Sequence, residues 1–100
     1  MGKAEARIEK AVCDYAEHEG FLVRKYASLG VKGAPDRILY GHGHVFLMEF
    51  KTPIGSLSRP QEREIQRIRE HGCKVFVVDN IAYGESVIDG ARISGTAYVD

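Results

Sequence analysis

The amino-acid sequence predicts an α/β or α+β domain on a mixed sheet, with elements in the order α-β-β-β-α-β. Three observations predict it. The chain opens with a stretch of helical apolar spacing, and its middle holds two strand-like runs around a short glycine-containing turn. After a second helical stretch comes "KVFVVD", apolar at nearly every position. A run of that kind suits a strand covered on both faces, whereas an alternating run suits a strand covered on one.

From about Lys3 to Glu19 the apolar residues are Ala4, Ile8, Ala11, Val12, Tyr15 and Ala16, the spacing of one helical face, and Gly20 supplies the stop. "FLVRKYASL" follows, its Phe21, Val23, Tyr26 and Leu29 favouring a strand, and then the flexible "GVKGAP". "DRILY" and "VFLMEF" are strands joined through "GHGH", and "TPIGSLS" is a loop. Helical character returns from Arg59 to His71 and closes at Gly72. Beyond "KVFVVD", "NIAYGESVID" predicts a short helix, and "ARISGTAYVD" fits no single pattern.

One hundred residues make one domain, residues 1–100. With 44% hydrophobic and 28% charged residues the composition excludes disorder. The charged N-terminus "MGKAEARIEKAV" lacks an apolar signal core, and no run of about 18 apolar residues is present, so no membrane span is expected and an intracellular, cytoplasmic protein is. Ala6 stands where a myristoylation motif requires Ser or Thr. Cys13 and Cys73 match no metal or redox spacing and are expected as reduced thiols. His42 and His44 form the one close histidine pair, with no cysteine near, so zinc is not expected. The net charge of zero argues against indiscriminate polyanion binding. Yet Arg24 to Lys74 holds ten basic and five acidic residues, and the flanks hold four and nine, so the middle stands at +5 and the flanks at −5. A face built from the middle can meet phosphates.

Two carboxylates, Asp36 and Glu49, end the apolar runs of the central hairpin. If His42-Gly43 is a two-residue loop, paired positions sum to 85. Tyr40 then faces Val45, Ile38 faces Leu47, and Asp36 faces Glu49, with Lys51 two residues further on the same face. A four-residue loop gives the same register, whereas a three-residue loop separates the acids. Like charges directly opposite on a sheet repel. They are tolerable as solvated strand ends neutralised by Lys51, but "VFLMEF" is apolar on both faces, which points to a covered site. There a divalent cation would resolve the repulsion, and spacing alone leaves both readings open. Magnesium takes oxygen ligands and is commonly held by one or two carboxylates, and the Phe50 carbonyl offers a further oxygen. Lys51 would orient or deprotonate an attacking water or stabilise charge on a phosphate oxygen. Metal-assisted phosphodiester hydrolysis uses all these parts.

Pro35-Asp36 followed by Glu49-Phe50-Lys51 resembles the PD-(D/E)XK nuclease signature. The longer series "IEKAV", "FLVRKY", "GVKGAPDRILY", "FLMEFKTPIGSLSRPQ" and "HGCKVFVVD" resembles the VRR-Nuc (virus-type replication-repair nuclease) family in its compact stand-alone form, over roughly residues 7 to 89. The resemblance implies an α/β, restriction-endonuclease-like core with a central mixed sheet flanked by helices. It also implies action on DNA with Mg2+, or Mn2+ in its place, and no organic cofactor. Position by position, it makes Asp36 and Glu49 metal-binding acids, Lys51 the motif lysine, and Glu9 the first-helix acid that completes the metal site. Helix geometry alone does not choose Glu9, because Glu5 lies closer to the apolar stripe.

Gln61 matches a family glutamine, although Ser58-Arg59-Pro60-Gln61 is also a capping box. Gln61, Ile65 and Ile68 share a face directed at the sheet, which leaves the amide free for the site. Lys25 matches a basic position near the active site, with Arg24 turned to the other face. Lys32 and Gly33 lie in a loop suited to close approach to a DNA backbone. Arg59, Arg63 and Arg67 form a basic edge on the second helix, set against Glu62, Glu64 and Glu70.

The expectation is an Mg2+-dependent endodeoxyribonuclease selective for branched DNA, a homodimer nicking a four-way (Holliday) junction in replication-repair. Its dimer surface would use leftover apolar residues of the first helix or of "ISGTAYV". Two readings compete: a non-catalytic DNA-binding or assembly module that keeps the fold, and a metal site with a regulatory role unrelated to nucleic acid. Asp36, Glu49 and Lys51 are all present, which favours the enzyme.

Overall fold

The computed structural model describes residues 2–27 and 30–94. Its elements are α1 (Lys3–His18), β1 (Leu22–Lys25), β2 (Arg37–Gly41), β3 (His44–Phe50), α2 (Arg59–Glu70), β4 (Lys74–Val78) and α3 (Ile81–Ser94). The four strands form one sheet in the order β1-β2-β3-β4, antiparallel except for the parallel pair β3 and β4. Helices cover both faces, so the class is α/β with a mixed sheet.

Strand alternation sorts the side chains into two cores. On one face Val23, Leu39, Phe46, Met48, Phe50 and Val78 pack against Ile8, Val12 and Ala16 of α1 and Val87, Ile88 and Ala91 of α3. On the other, Leu47 and Val75 pack with Ile65 of α2, and Tyr26, Ile38, Ile68 and Val77 fill the margins. β4 sends Val75 to one core and Val78 to the other, as its unbroken apolar run requires.

The local signals act as their chemistry dictates. His42 and Gly43 both take positive φ (52° and 85°), and Gly41 pairs with His44. This is the primed two-residue turn whose twist matches the strands. Ser58 and Gln61 form a complete capping box on α2, with Pro60 in the first turn. Gly20 (φ 93°) ends α1 and Gly72 (φ 89°) follows α2.

Two expectations change. β1 stops at Lys25, four residues short of Leu29, with one further backbone bond from the Tyr26 N–H to the Asp36 carbonyl at 3.1 Å; Ser28 and Leu29 lie outside the described residues. The predicted short helix runs on to Ser94, absorbing the first part of "ARISGTAYVD". Asn80 caps it, its Oδ1 accepting the Tyr83 N–H at 2.8 Å. Residues 95–100, and with them most of "ISGTAYV", lie outside the described residues. Among the described residues, no helix is long and apolar enough to cross a membrane.

Candidate active site

β2 and β3 carry the two acids to one end of the sheet. The register Gly41–His44, Tyr40–Val45, Leu39–Phe46, Ile38–Leu47 and Arg37–Met48 keeps the expected sum of 85. The ladder ends there, one pair before Asp36 and Glu49. Instead the Asp36 N–H donates to the Met48 carbonyl at 3.0 Å, and the Asp36 carboxylate accepts the Phe50 N–H at 2.8 Å. A carboxylate bonded to the strand that carries the other acid is fixed relative to it.

Glu49 is 2% exposed, on the α2 side of the sheet. Its Oε2 accepts from Gln61 Nε2 at 3.1 Å, while its Oε1 is buried with no hydrogen-bond partner. Buried carboxylate oxygens are rarely left so. Burial pushes the Glu49 carboxyl up to about 7, helped by the negative charge of Asp36 and opposed by Lys51. Asp36 is raised too, mainly by burial, against the Phe50 N–H and Lys51. Lys51 thus acts electrostatically on both acids. It follows β3 directly, and its N–H donates to the Val78 carbonyl of β4 at 2.9 Å.

Gln61 does two things with one side chain. Its Oε1 accepts the Ser58 N–H at 2.8 Å to close the capping box, and its Nε2 reaches Glu49. The capping and site readings of this residue are therefore compatible.

Glu9 acts electrostatically on both acids but is itself paired with Arg37. Its Oε2 takes Arg37 Nε at 2.6 Å, and both side chains are largely covered (14% and 22% exposed). Arg37 follows Asp36 and so turns to the opposite face of the sheet, toward α1. Alternation from Asp36 is the sequence signal for Arg37, which motif reasoning passed over. Among the described residues, no three His, Cys, Asp or Glu side chains converge as a metal cluster. The donors that do fit a hard cation are Asp36, the orphaned Glu49 Oε1 and the Phe50 carbonyl, an all-oxygen set.

The basic residues divide. Lys32, Arg63 and Arg67 line a groove of about 270 Å³ with Gly30, Val31, Pro60 and Glu64. Arg59 is exposed at the start of α2, outside that lining. Lys25 is exposed and pairs with Arg37, on the α1 side of β1 with Val23 rather than on the side of the acids. Gly33 makes its close approach within the protein: a Cβ there would lie 2.4 Å from the Pro60 backbone, and its φ is 81°. The loop carrying Lys32 therefore lies flush on the first turn of α2. His42 Nε2 donates to the Glu19 carbonyl at 2.8 Å, and His44 Nε2 lies 2.7 Å from Ser94 Oγ, so the two histidines hold separate partners. Cys13 is buried and Cys73 half-buried, and neither is joined in a disulfide.

A mixed four-stranded sheet with helices on both faces, presenting paired acids and a lysine at one end, defines a restriction-endonuclease-like nuclease domain. A solved structure described as a VRR_NUC domain is similar to the chain at 31% identity, covering 88% of this chain and 97% of that one with a TM-score of 0.79. This chain belongs to the VRR-Nuc family. A second structure, a VRR_NUC domain protein at 19% identity, covers 97% of this chain and 94% of its own, with a TM-score of 0.78, and shares the fold. No family profile and no curated protein matches the chain.

Proposed function

We propose that the chain is a divalent-metal-dependent DNA endonuclease, acting on branched DNA as a homodimer in the cytoplasm. The observation that carries this reading is Glu49: a fully buried carboxylate with one unpartnered oxygen, beside Asp36 and within the field of Lys51. Asp36, Glu49 and the Phe50 carbonyl would hold Mg2+, or Mn2+ in its place, and the ion would supply positive charge for phosphodiester hydrolysis. Asp36 and Glu49 would give up their protons to do so, and Gln61 orients the Glu49 carboxylate through Oε2. Lys51 holds or accepts a proton at Nζ and neutralises charge on the phosphate oxygens. Glu9 would complete this set from α1, with its Oε2 held by Arg37. Lys32 and Arg63 engage the DNA backbone along their shared groove, while Lys25 and Arg59 meet more distant phosphates. One site per chain and two strands to nick call for two copies, and closed dimers are the commonest assembly.

The test is cleavage of a labelled four-way junction in Mg2+, beside matched duplex, flap and single strand, with Glu49→Gln as control. Paired symmetric nicks that vanish in the variant support the full reading. Cleavage mainly of flaps or single strands keeps the chemistry and discards the junction-resolving dimer. Binding without cleavage in either Mg2+ or Mn2+ leaves a DNA-binding module.

A further inference from the structure

The loop between β3 and α2 leaves the site and returns to it. Lys51 stands at its start, tied through its N–H to Val78, and Ser58 at its end holds the Gln61 amide that reaches Glu49. The returning leg is anchored as well, since Leu57 packs against the core of Leu47, Ile65 and Val75. Between the legs, Thr52 to Gly55 form a β-turn, the Gly55 N–H donating to the Thr52 carbonyl at 3.0 Å. Pro53 presets its own φ at the second position, and Ile54 keeps a negative φ, as in a type I turn. A Cβ on Gly55 would lie 2.9 Å from Thr52 Oγ1, so glycine lets the turn close.

At the tip of this stiff turn Ile54 is 98% exposed, more than any other large apolar side chain among the described residues. Single exposed apolar residues are ordinary, but this one differs in its place. Isoleucine stands where turns favour polar residues, on backbone held from both sides, three positions after Lys51. Three residues span at most about 10 Å, which keeps the tip close to the proposed cutting groups. The same loop feeds α2, against whose first turn the Lys32 loop lies and from which Arg63 and Arg67 line the basic groove. Along the chain, Ile54 thus stands between the lysine of the site and the helix that would hold phosphates. A bare isoleucine gains by leaving water, and the apolar surface that DNA offers lies between its bases. Isoleucine is among the side chains that part base steps as wedges. In continuous duplex the step must first be unstacked, whereas at a branch point stacking is already interrupted and entry costs less.

We propose that Ile54 is a wedge that enters beside the bases at a branch point and gives the site its preference for branched over continuous DNA. The inference rests on the DNA-endonuclease reading above, and the experiment separates the two.

A four-way junction carrying 2-aminopurine at the branch point, and a matched duplex, are bound in Ca2+ by the wild type, Ile54→Ala and Ile54→Leu. Fluorescence reports unstacking, and gel shifts report affinity. The wild type is expected to brighten the junction probe on binding. Ile54→Ala is expected to abolish that rise and to weaken junction binding about tenfold, the scale of leaving those methyl groups in water. Its duplex affinity and melting temperature should match the wild type, and Ile54→Leu should retain both the rise and the junction affinity. A wild-type rise and junction preference in Ile54→Ala overturn the wedge. So do an equal loss of affinity for both DNAs, a lowered melting temperature, or a wild type that binds both DNAs alike. If the wild type binds neither DNA, the endonuclease reading falls and the wedge with it. If Glu49→Gln abolishes cleavage in Mg2+ while Ile54→Ala binds the junction as the wild type does, only the wedge falls.

Discussion

Glu49 is buried at a cost. Its carboxyl ordinarily ionises near 4.5 and in the fold does so near 7, so between those values the folded chain holds a proton that the unfolded chain has lost. The unfolded state therefore binds fewer protons, and stability falls as pH rises through this window. In metal-free protein Glu49→Gln is expected to melt above the wild type at pH 8, with the difference shrinking toward pH 5. Mn2+ affinity should run the other way, rising through pH 6 to 8 as the competing proton leaves. A wild type that melts identically at pH 5 and 8 relative to Glu49→Gln would contradict both statements. That Glu49 is covered was legible in "VFLMEF", which has no polar face. That its Oε1 lacks a partner was not, since it depends on where Gln61 and Phe50 place their donors.

The elements were read well wherever a single local signal governs them. Ser58 with Gln61 fixed the start of α2, and His42-Gly43 set the hairpin register. α3 was underestimated because Gly84 and Gly90 argue against a helix, although Gly84, Val87, Ile88 and Ala91 recur at helical spacing and all four are buried. Gly84 is there for contact. A Cβ at this position would lie 2.5 Å from Val12 Cγ2 and 3.1 Å from Val78 Cγ1, both on residues with no exposure. Alanine would gain about 1 kcal/mol in helix propensity but overpack this junction by roughly 1–3 kcal/mol. Gly84→Ala is accordingly expected to lower the melting temperature, despite being the better helix former. The early end of β1 has a different origin. Strand propensity in "FLVRKYASL" says nothing about how far the neighbouring strand extends, and that neighbour sets the length.

At the scale of the whole molecule, zero net charge conceals a basic middle and acidic flanks. The fold concentrates part of that excess in the groove of Lys32, Arg63 and Arg67, and no overall field assists it. DNA affinity should then depend on a few local contacts. Arg63→Gln is expected to weaken binding about equally across sequences and to reduce the slope of log affinity against log salt by about one phosphate contact. A slope equal to wild type would place Arg63 off the DNA. The tie between the Lys51 N–H and the Val78 carbonyl has a consequence for how such an enzyme comes into being. Both acids leave the ribosome early, on a hairpin of local contacts. The segment bearing Lys51 is fixed only when β4 arrives, across a parallel crossover that forms slowly. A half-made chain therefore holds the acids without an anchored lysine, and the three groups come together only once synthesis has passed the last strand.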